Sequence, residues 1–90
     1  MSSRTIIKRK KYVAAKNKDE KFFADVFANV LGINKVGATD SFFDLGGTSL
    51  LATKVMVESV NAGYNISYGD IFTYQTPENI ARVLLEKEKL

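Results

Sequence analysis

Apolar residues recur at helical spacing along much of the chain and predict an all-α fold. In the first such stretch the apolar positions repeat every four residues, at Phe22, Val26 and Val30. This spacing places them on one face of a helix. Asn17 followed by Glu20 is typical of a helix N-terminus, and Gly32 is a suitable left-handed end. A first helix is therefore predicted between residues 17 and 32, and residues 17–90 are expected to form the folded domain.

A second helix is predicted to begin at Ser49 and to end before Gly63. Its apolar sector on a helical wheel contains Leu51, Ala52, Val55, Met56 and Val60, and its polar sector contains Lys54, Glu58 and Asn61. Leu50 and Val57 fall at the edge of the polar sector, so we expect them to be exposed. Exposed apolar side chains tend to mark partner surfaces, although both residues could instead be peripheral core.

The remaining elements are a short helix, a terminal helix and one long loop. Residues 64–75 are compatible with a strand or a helical turn, and we favour a short helix over residues 69–74. Thr76 as cap and Pro77 at the first helical position begin the last helix. Its apolar face contains Ile80, Val83 and Leu84. The expected architecture is a small bundle of three to four helices, with residues 33–48 as the loop between the first two.

The composition excludes most kinds of chemistry for this chain. Ninety residues make one domain with a modest core, which is too small for a deep substrate cavity. The absence of cysteine and histidine removes thiol nucleophiles, the usual zinc ligands and the commonest general base. We therefore expect a non-catalytic domain without a metal. No apolar run approaches the roughly 18 residues of a membrane span, and no signal peptide is visible, so a cytoplasmic setting without membrane contact is expected. We also expect the chain to be a monomer.

The net charge of +3 is distributed unevenly. Residues 1–21 hold eight of the 13 Lys and Arg against two acidic residues, giving +6, whereas residues 22–90 hold five against eight, giving −3. Residues 1–16 have no apolar periodicity and are predicted to be a flexible basic linker. Because the folded part is acidic and lacks a basic face, nucleic acid is not expected as a partner.

The segment before the second helix carries the candidate chemistry. Its apolar residues are expected to anchor the loop on the bundle, and Gly46 and Gly47 allow another backbone to approach closely. Ser49 then presents a hydroxyl at the start of a helix, where free amide groups and the helix dipole favour a phosphate ester. The alternative is that Ser49 serves only as the N-cap, which is the commonest use of serine at such a place.

Residues 40–50 read Asp-Ser-Phe-Phe-Asp-Leu-Gly-Gly-Thr-Ser-Leu. This stretch resembles the signature of phosphopantetheine-bearing carrier proteins, Asp-x-Phe-Phe-x-Leu-Gly-Gly-x-Ser-Leu, and matches it at every specified position. Among these carriers the chain is most similar to the peptidyl carrier (thiolation) domains of nonribosomal peptide synthetases. Thr48 stands where fatty-acid and polyketide carriers usually have aspartate. Residues 12–15 resemble the linker that follows an adenylation domain, with Ala15 where proline is usual. The resemblance covers roughly residues 12–85.

The resemblance implies an acyl-carrier-protein-like fold and a function. A phosphopantetheinyl transferase would attach the phosphopantetheine arm of coenzyme A to Ser49, and the arm would carry aminoacyl or peptidyl groups as thioesters. The chain would be a non-catalytic part of a multidomain synthetase, with adenylation, condensation and thioesterase domains as further partners. The residues expected to contact these partners are Gly46, Gly47, Thr48, Leu50, Val57, Ile71 and Phe72.

Two other functions compete with this interpretation. A docking bundle that is never modified would have the same core, but it would have no need for the segment from Gly46 to Ser49. A serine hydrolase is excluded on chemical grounds, because the chain has no histidine and no other base is evidently placed to activate Ser49.

Overall fold

The computed structural model describes residues 11–88, which form an all-α bundle, as predicted. Within this range the helices are α1 (Lys18–Leu31), α2 (Ser49–Asn61), α3 (Tyr68–Tyr74) and α4 (Pro77–Glu88). Residues 32–48 connect α1 to α2, where the sequence predicted the long loop. None of these helices is long and apolar enough to cross a bilayer. Most of the predicted basic arm falls within residues 1–10, outside the described residues.

The ends of α1 follow from the residues that flank it. Asn17 has an extended backbone, and its Oδ1 accepts a hydrogen bond from the Glu20 amide at 2.9 Å. The Glu20 carboxylate accepts a hydrogen bond from the Lys16 amide at 3.0 Å. Both side chains therefore bond backbone amides at the helix start, as the sequence predicted. Gly32 has a φ of 72° and its amide donates to carbonyl groups of the last turn, which confirms the left-handed end.

The core forms where α1 packs on α2 and α4, and α3 packs on α2 and α4. Its largest fully buried side chains are Phe23, Phe27, Phe42, Ile71, Ile80 and Val55. Phe42 belongs to the α1–α2 connection, and its ring centroid lies 4.9 Å from that of Phe27 on α1. Burial of one such side chain contributes about 1.5–3 kcal/mol. The connection is therefore anchored by its own contribution to the core.

The buried face of α2 differs from the predicted apolar sector. Ser59 is fully buried, whereas Val60, which the wheel placed in the apolar sector, is 52% exposed. Leu51 is only half-buried. A wheel ranks positions by hydrophobicity, but the neighbouring helices cover the side of α2 that contains Ala52, Val55 and Ser59. Burial of the Ser59 hydroxyl is tolerated because its Oγ donates to the Val55 carbonyl at 2.7 Å.

Residues 11–16 lie against the bundle, although most of their side chains are exposed. The Val13 carbonyl accepts a hydrogen bond from the Ala38 amide at 2.6 Å. Lys16 Nζ lies 2.9 Å from the Glu78 carboxylate at the start of α4. The division between a flexible linker and the domain remains a prediction, but these contacts join the end of the proposed linker to the folded part.

Candidate functional site

The connection that leads to Ser49 is fixed to the bundle by two adjacent phenylalanines. Phe42 is fully buried and packs on Phe27 of α1. The ring of Phe43 stacks on that of Phe72 in α3, with centroids 4.8 Å apart and planes at 17°. One phenylalanine thus holds the loop to α1 and the other holds it to α3. The sequence predicted that the loop would anchor on the bundle, and the structure confirms it.

Two glycines then direct the chain toward α2, for different physical reasons. Gly46 has a φ of 103°, a conformation that favours glycine. At Gly47, a Cβ atom would lie 2.3 Å from ring atoms of Phe42 and 2.8 Å from its carbonyl oxygen. The Gly47 amide also donates to that carbonyl at 3.0 Å. The sequence predicted a close approach at this point, and the group that approaches is Phe42 of the same loop.

Thr48, and not Ser49, caps α2. Thr48 has an extended backbone, and its Oγ1 accepts a hydrogen bond from the Leu51 amide at 3.2 Å. Ser49 is the first residue of the helix and is exposed. Its hydroxyl forms no hydrogen bond with any residue in the described part of the chain. The interpretation of Ser49 as only a cap is therefore wrong, because the cap is already supplied by its neighbour.

The start of α2 suits a negatively charged group on Ser49. Within residues 11–88, the amides of Ser49 and Leu50 have no backbone or side-chain acceptor. The first turn of α2 contains no acidic residue that would repel an anion. Free amide groups and the positive end of the helix dipole both favour a phosphate at this position. The residues present therefore fit a phosphodiester on the Ser49 hydroxyl.

An apolar surface lies on α2 next to Ser49. Leu50 is 68% exposed and Val57 is 47% exposed, which confirms the exposure that the helical wheel predicted. The two side chains line a shallow groove of about 230 Å³ together with Thr53, Lys54 and Glu58. Large exposed apolar side chains beside an exposed hydroxyl are a suitable contact surface for another protein.

The other residues predicted to contact partners are not equally accessible. Gly46 and Thr48 are exposed, and Gly47 is half-buried. Phe72 is 36% exposed at the edge of its stack with Phe43. Ile71 is fully buried in the core, so the expectation of a partner contact for this side chain is corrected. Helical spacing alone could not separate Ile71 from Phe72, because they lie three and four residues after Tyr68 and both positions share its face of the helix.

Sequence reasoning did not identify Gln75, which follows α3 and contacts the loop. Its carbonyl accepts a hydrogen bond from the Phe42 amide at 2.8 Å. Its side-chain Oε1 accepts a hydrogen bond from Ser41 Oγ at 2.9 Å. The sequence offers no signal for these bonds, because a glutamine between two helices matches no turn or cap preference.

Residues 21–84 match the family described as phosphopantetheine attachment site. Surfactin synthase subunit 1 of Bacillus subtilis (strain 168) is 40% identical over 79 residues, which cover 87% of this chain and 2% of that protein. The chain thus spans a small fraction of the length of this relative.

Two solved structures extend the comparison. One is the phosphopantetheine transferase Sfp in complex with coenzyme A and a peptidyl carrier protein, with 30% identity, a TM-score of 0.74 and coverage of 83% of this chain and 99% of that chain. The other is McyG A-PCP complexed with phenylalanyl-adenylate, with 30% identity and a TM-score of 0.73. The match covers 81% of this chain and 12% of that chain. The chain therefore belongs to the phosphopantetheine attachment site family, and it is a carrier domain of the peptidyl carrier type.

Proposed function

We propose that Ser49 is the attachment residue and that the domain carries aminoacyl or peptidyl groups in nonribosomal peptide synthesis. The observation that supports this assignment is the exposed Ser49 hydroxyl at the first residue of α2. Thr48 caps the helix, so the Ser49 hydroxyl is available for a covalent bond. The preceding segment matches the carrier signature at every specified position.

The attachment is a substitution at phosphorus. Ser49 Oγ forms a bond to a phosphorus of the coenzyme A pyrophosphate, and the bond from that phosphorus to adenosine 3′,5′-bisphosphate breaks. The hydroxyl proton goes to a base of the transferase, because this chain has no histidine. Within residues 11–88 no side chain bonds the Ser49 hydroxyl either. The domain therefore presents the nucleophile, and the transferase activates it.

The product is suited to carrying cargo, because the arm supplies a thiol that holds an acyl group as a thioester. The chain itself has no cysteine, so the reactive thiol must come with the arm. The contribution of α2 is to hold the phosphodiester, through the free amides of Ser49 and Leu50 and the dipole of the helix. A long tether then allows the thiol to reach several partner sites in turn.

The partners we propose are the transferase and the adenylation, condensation and thioesterase domains of a larger synthetase. The transferase and adenylation domains are supported by the similar structures that contain them. The surface for these contacts is the exposed part of the loop with Leu50 and Val57 of α2 and Phe72 of α3. The domain itself is non-catalytic, and each partner supplies the chemistry that the composition of this chain lacks.

The experiment is an intact-mass measurement after incubation with a phosphopantetheinyl transferase and coenzyme A. The parent protein is expected to gain one phosphopantetheine, and Ser49→Ala is expected to gain none. Thr53→Ala is the matched control, because Thr53 is also an exposed hydroxyl residue on α2, four residues farther along. Modification of Ser49→Ala to the same extent as the parent would show that another residue is the attachment site.

A further inference from the structure

Gln75 lies at the junction between α3 and α4 and has an unusual backbone. Its φ is 62°, and it is the non-glycine residue with a positive φ in the described part of the chain. This conformation strains most side chains, so backbone preference alone would favour glycine. Its amide donates to the Ile71 carbonyl at 3.0 Å and closes α3. A glutamine at this position must therefore be explained by what its other groups contact.

Those other groups hold the loop that precedes α2. The Gln75 carbonyl accepts a hydrogen bond from the Phe42 amide at 2.8 Å, and Oε1 accepts one from Ser41 Oγ at 2.9 Å. The remaining polar group, Nε2, donates to the Phe72 carbonyl at 3.0 Å and so fixes the side chain against α3. Glycine could supply the first of these bonds but not the second or the third.

Contacts continue from the loop to the start of α2. The Phe42 carbonyl accepts a hydrogen bond from the Gly47 amide at 3.0 Å. The Phe42 ring occupies the space that a side chain at position 47 would need. Gly47 directly precedes Thr48, which caps the helix that begins with Ser49. The position of Phe42 therefore determines where the chain enters α2.

We infer that Gln75 is a positioning residue for the Ser49 hydroxyl. It fixes Ser41 and Phe42 relative to α3, and Phe42 fixes Gly47 at the entrance to α2. The inference rests on the proposed attachment at Ser49 for its functional consequence. Its structural part, the hold of Gln75 on the loop, is independent of that assignment. Loss of the Gln75 side chain should loosen the Ser49 end of α2 more than it weakens the bundle.

The test uses three variants and one control. Gln75→Ala removes both side-chain bonds, Ser41→Ala removes the loop partner, and Gln75→Glu keeps the acceptor for Ser41 as the conservative rescue. If backbone strain prevents Gln75→Ala from folding, Gln75→Gly is used in its place. The control is Lys87→Met, which breaks the 2.7 Å ion pair with Asp70 and so loosens α3 without touching the loop.

The first measurement is amide hydrogen exchange at Gly47, compared with exchange at the buried Val55, whose amide reports opening of the whole bundle. In Gln75→Ala, exchange at Gly47 is expected to increase roughly threefold to tenfold relative to Val55, the range that corresponds to loss of the one side-chain hydrogen bond that reaches the loop, from Ser41. Gln75→Glu should show a smaller increase, and Lys87→Met should show none. An unchanged ratio in both Gln75→Ala and Ser41→Ala would overturn the inference.

The second measurement is the kcat/KM of phosphopantetheine transfer. Gln75→Ala should lower it roughly threefold to tenfold, whereas Lys87→Met should leave it near the parent value. Equal losses of kcat/KM in the two variants would mean that loosening α3 is enough to slow the transfer. That result would contradict a specific role for Gln75. Failure of the parent to be modified would reject the Ser49 assignment instead, while the exchange ratio would still decide whether Gln75 holds the loop.

Discussion

The two faces of α2 both carry apolar side chains, but one face is buried and the other is exposed to solvent. On one face Ala52, Val55 and Ser59 are fully buried. On the other, Leu50 and Val57 remain largely exposed beside the proposed attachment site. Hydrophobicity alone would place these two aliphatic residues inside and the serine outside, and the structure shows the reverse. The comparison shows that the buried face holds the helix in the bundle, whereas the exposed face is available to other proteins.

The energetics of the two faces differ accordingly. Removal of apolar area from water contributes about 25 cal/mol per Å², so Val55 stabilises the fold by its burial. Leu50 gains little from folding because most of its surface stays in water. The same surface becomes favourable when a partner covers it. Side chains that contribute little to stability can therefore contribute substantially to association.

The largest expected effect is the difference in stability between substitutions on the two faces. Val55→Ala removes two buried methyl groups and leaves a cavity, which should cost about 2–3 kcal/mol. Leu50→Ala should change the free energy of unfolding by no more than about 0.5 kcal/mol. Thermal melts measure both, and a loss of 1 kcal/mol corresponds to roughly 4–8 °C for a domain of this size. Equal losses would contradict the assignment of the two faces.

A second prediction concerns Gly47, which connects the anchored loop to the exposed end of α2. Gly47→Ala would place a Cβ atom 2.3 Å from the Phe42 ring, so the ring or the loop must move. The expected loss of stability is about 1–3 kcal/mol from overpacking, together with slower modification of Ser49. Gly69→Ala is a control for added volume, because a Cβ atom there has no neighbour closer than 3.8 Å. Modification of Gly47→Ala at the parental rate would show that the loop tolerates the displacement.

A smaller effect concerns how stability depends on pH. The ion pair between Asp70 and Lys87 joins α3 to α4, whereas the exposed face of α2 has no such pair among the described residues. Partial burial raises the pKa of Asp70, but hydrogen bonds from Lys87 and Ser67 outweigh this effect and lower the pKa overall. A pKa below its unfolded value adds stability above the unfolded pKa. This stability is lost as the pH falls through the folded pKa.

In Lys87→Met, the free energy of unfolding should therefore fall less than in the parent as the pH drops below about 4. The difference should be no more than about 1 kcal/mol, because the ion pair is partly exposed to solvent. Lys54→Met is the control, since Lys54 forms no ion pair with residues 11–88. Urea denaturation at several pH values gives the comparison. An acid dependence that is identical in Lys87→Met and the parent would show that Asp70 contributes nothing through this pair.

The sequence predicted the helices, including the start of α2 at Ser49, because those signals are local. Asn17, Gly32 and the Thr76-Pro77 pair mark helix ends through bonds to residues only a few positions away. The side of α2 that is buried could not be predicted reliably, because it depends on where α1 and α3 pack. The role of Gln75 was also inaccessible, since its bond to Ser41 spans 34 positions along the chain.

The most direct test of the account is to locate the modification within the parent protein. Trypsin releases residues 36–54 as one peptide after the transferase reaction, and this peptide contains five hydroxyl residues: Thr39, Ser41, Thr48, Ser49 and Thr53. Fragmentation by tandem mass spectrometry assigns the added phosphopantetheine to one of them. The account predicts a single modification on Ser49, the exposed residue whose hydroxyl is not used as a cap. Modification on Thr48 or Ser41, or on no residue of this peptide, would contradict it.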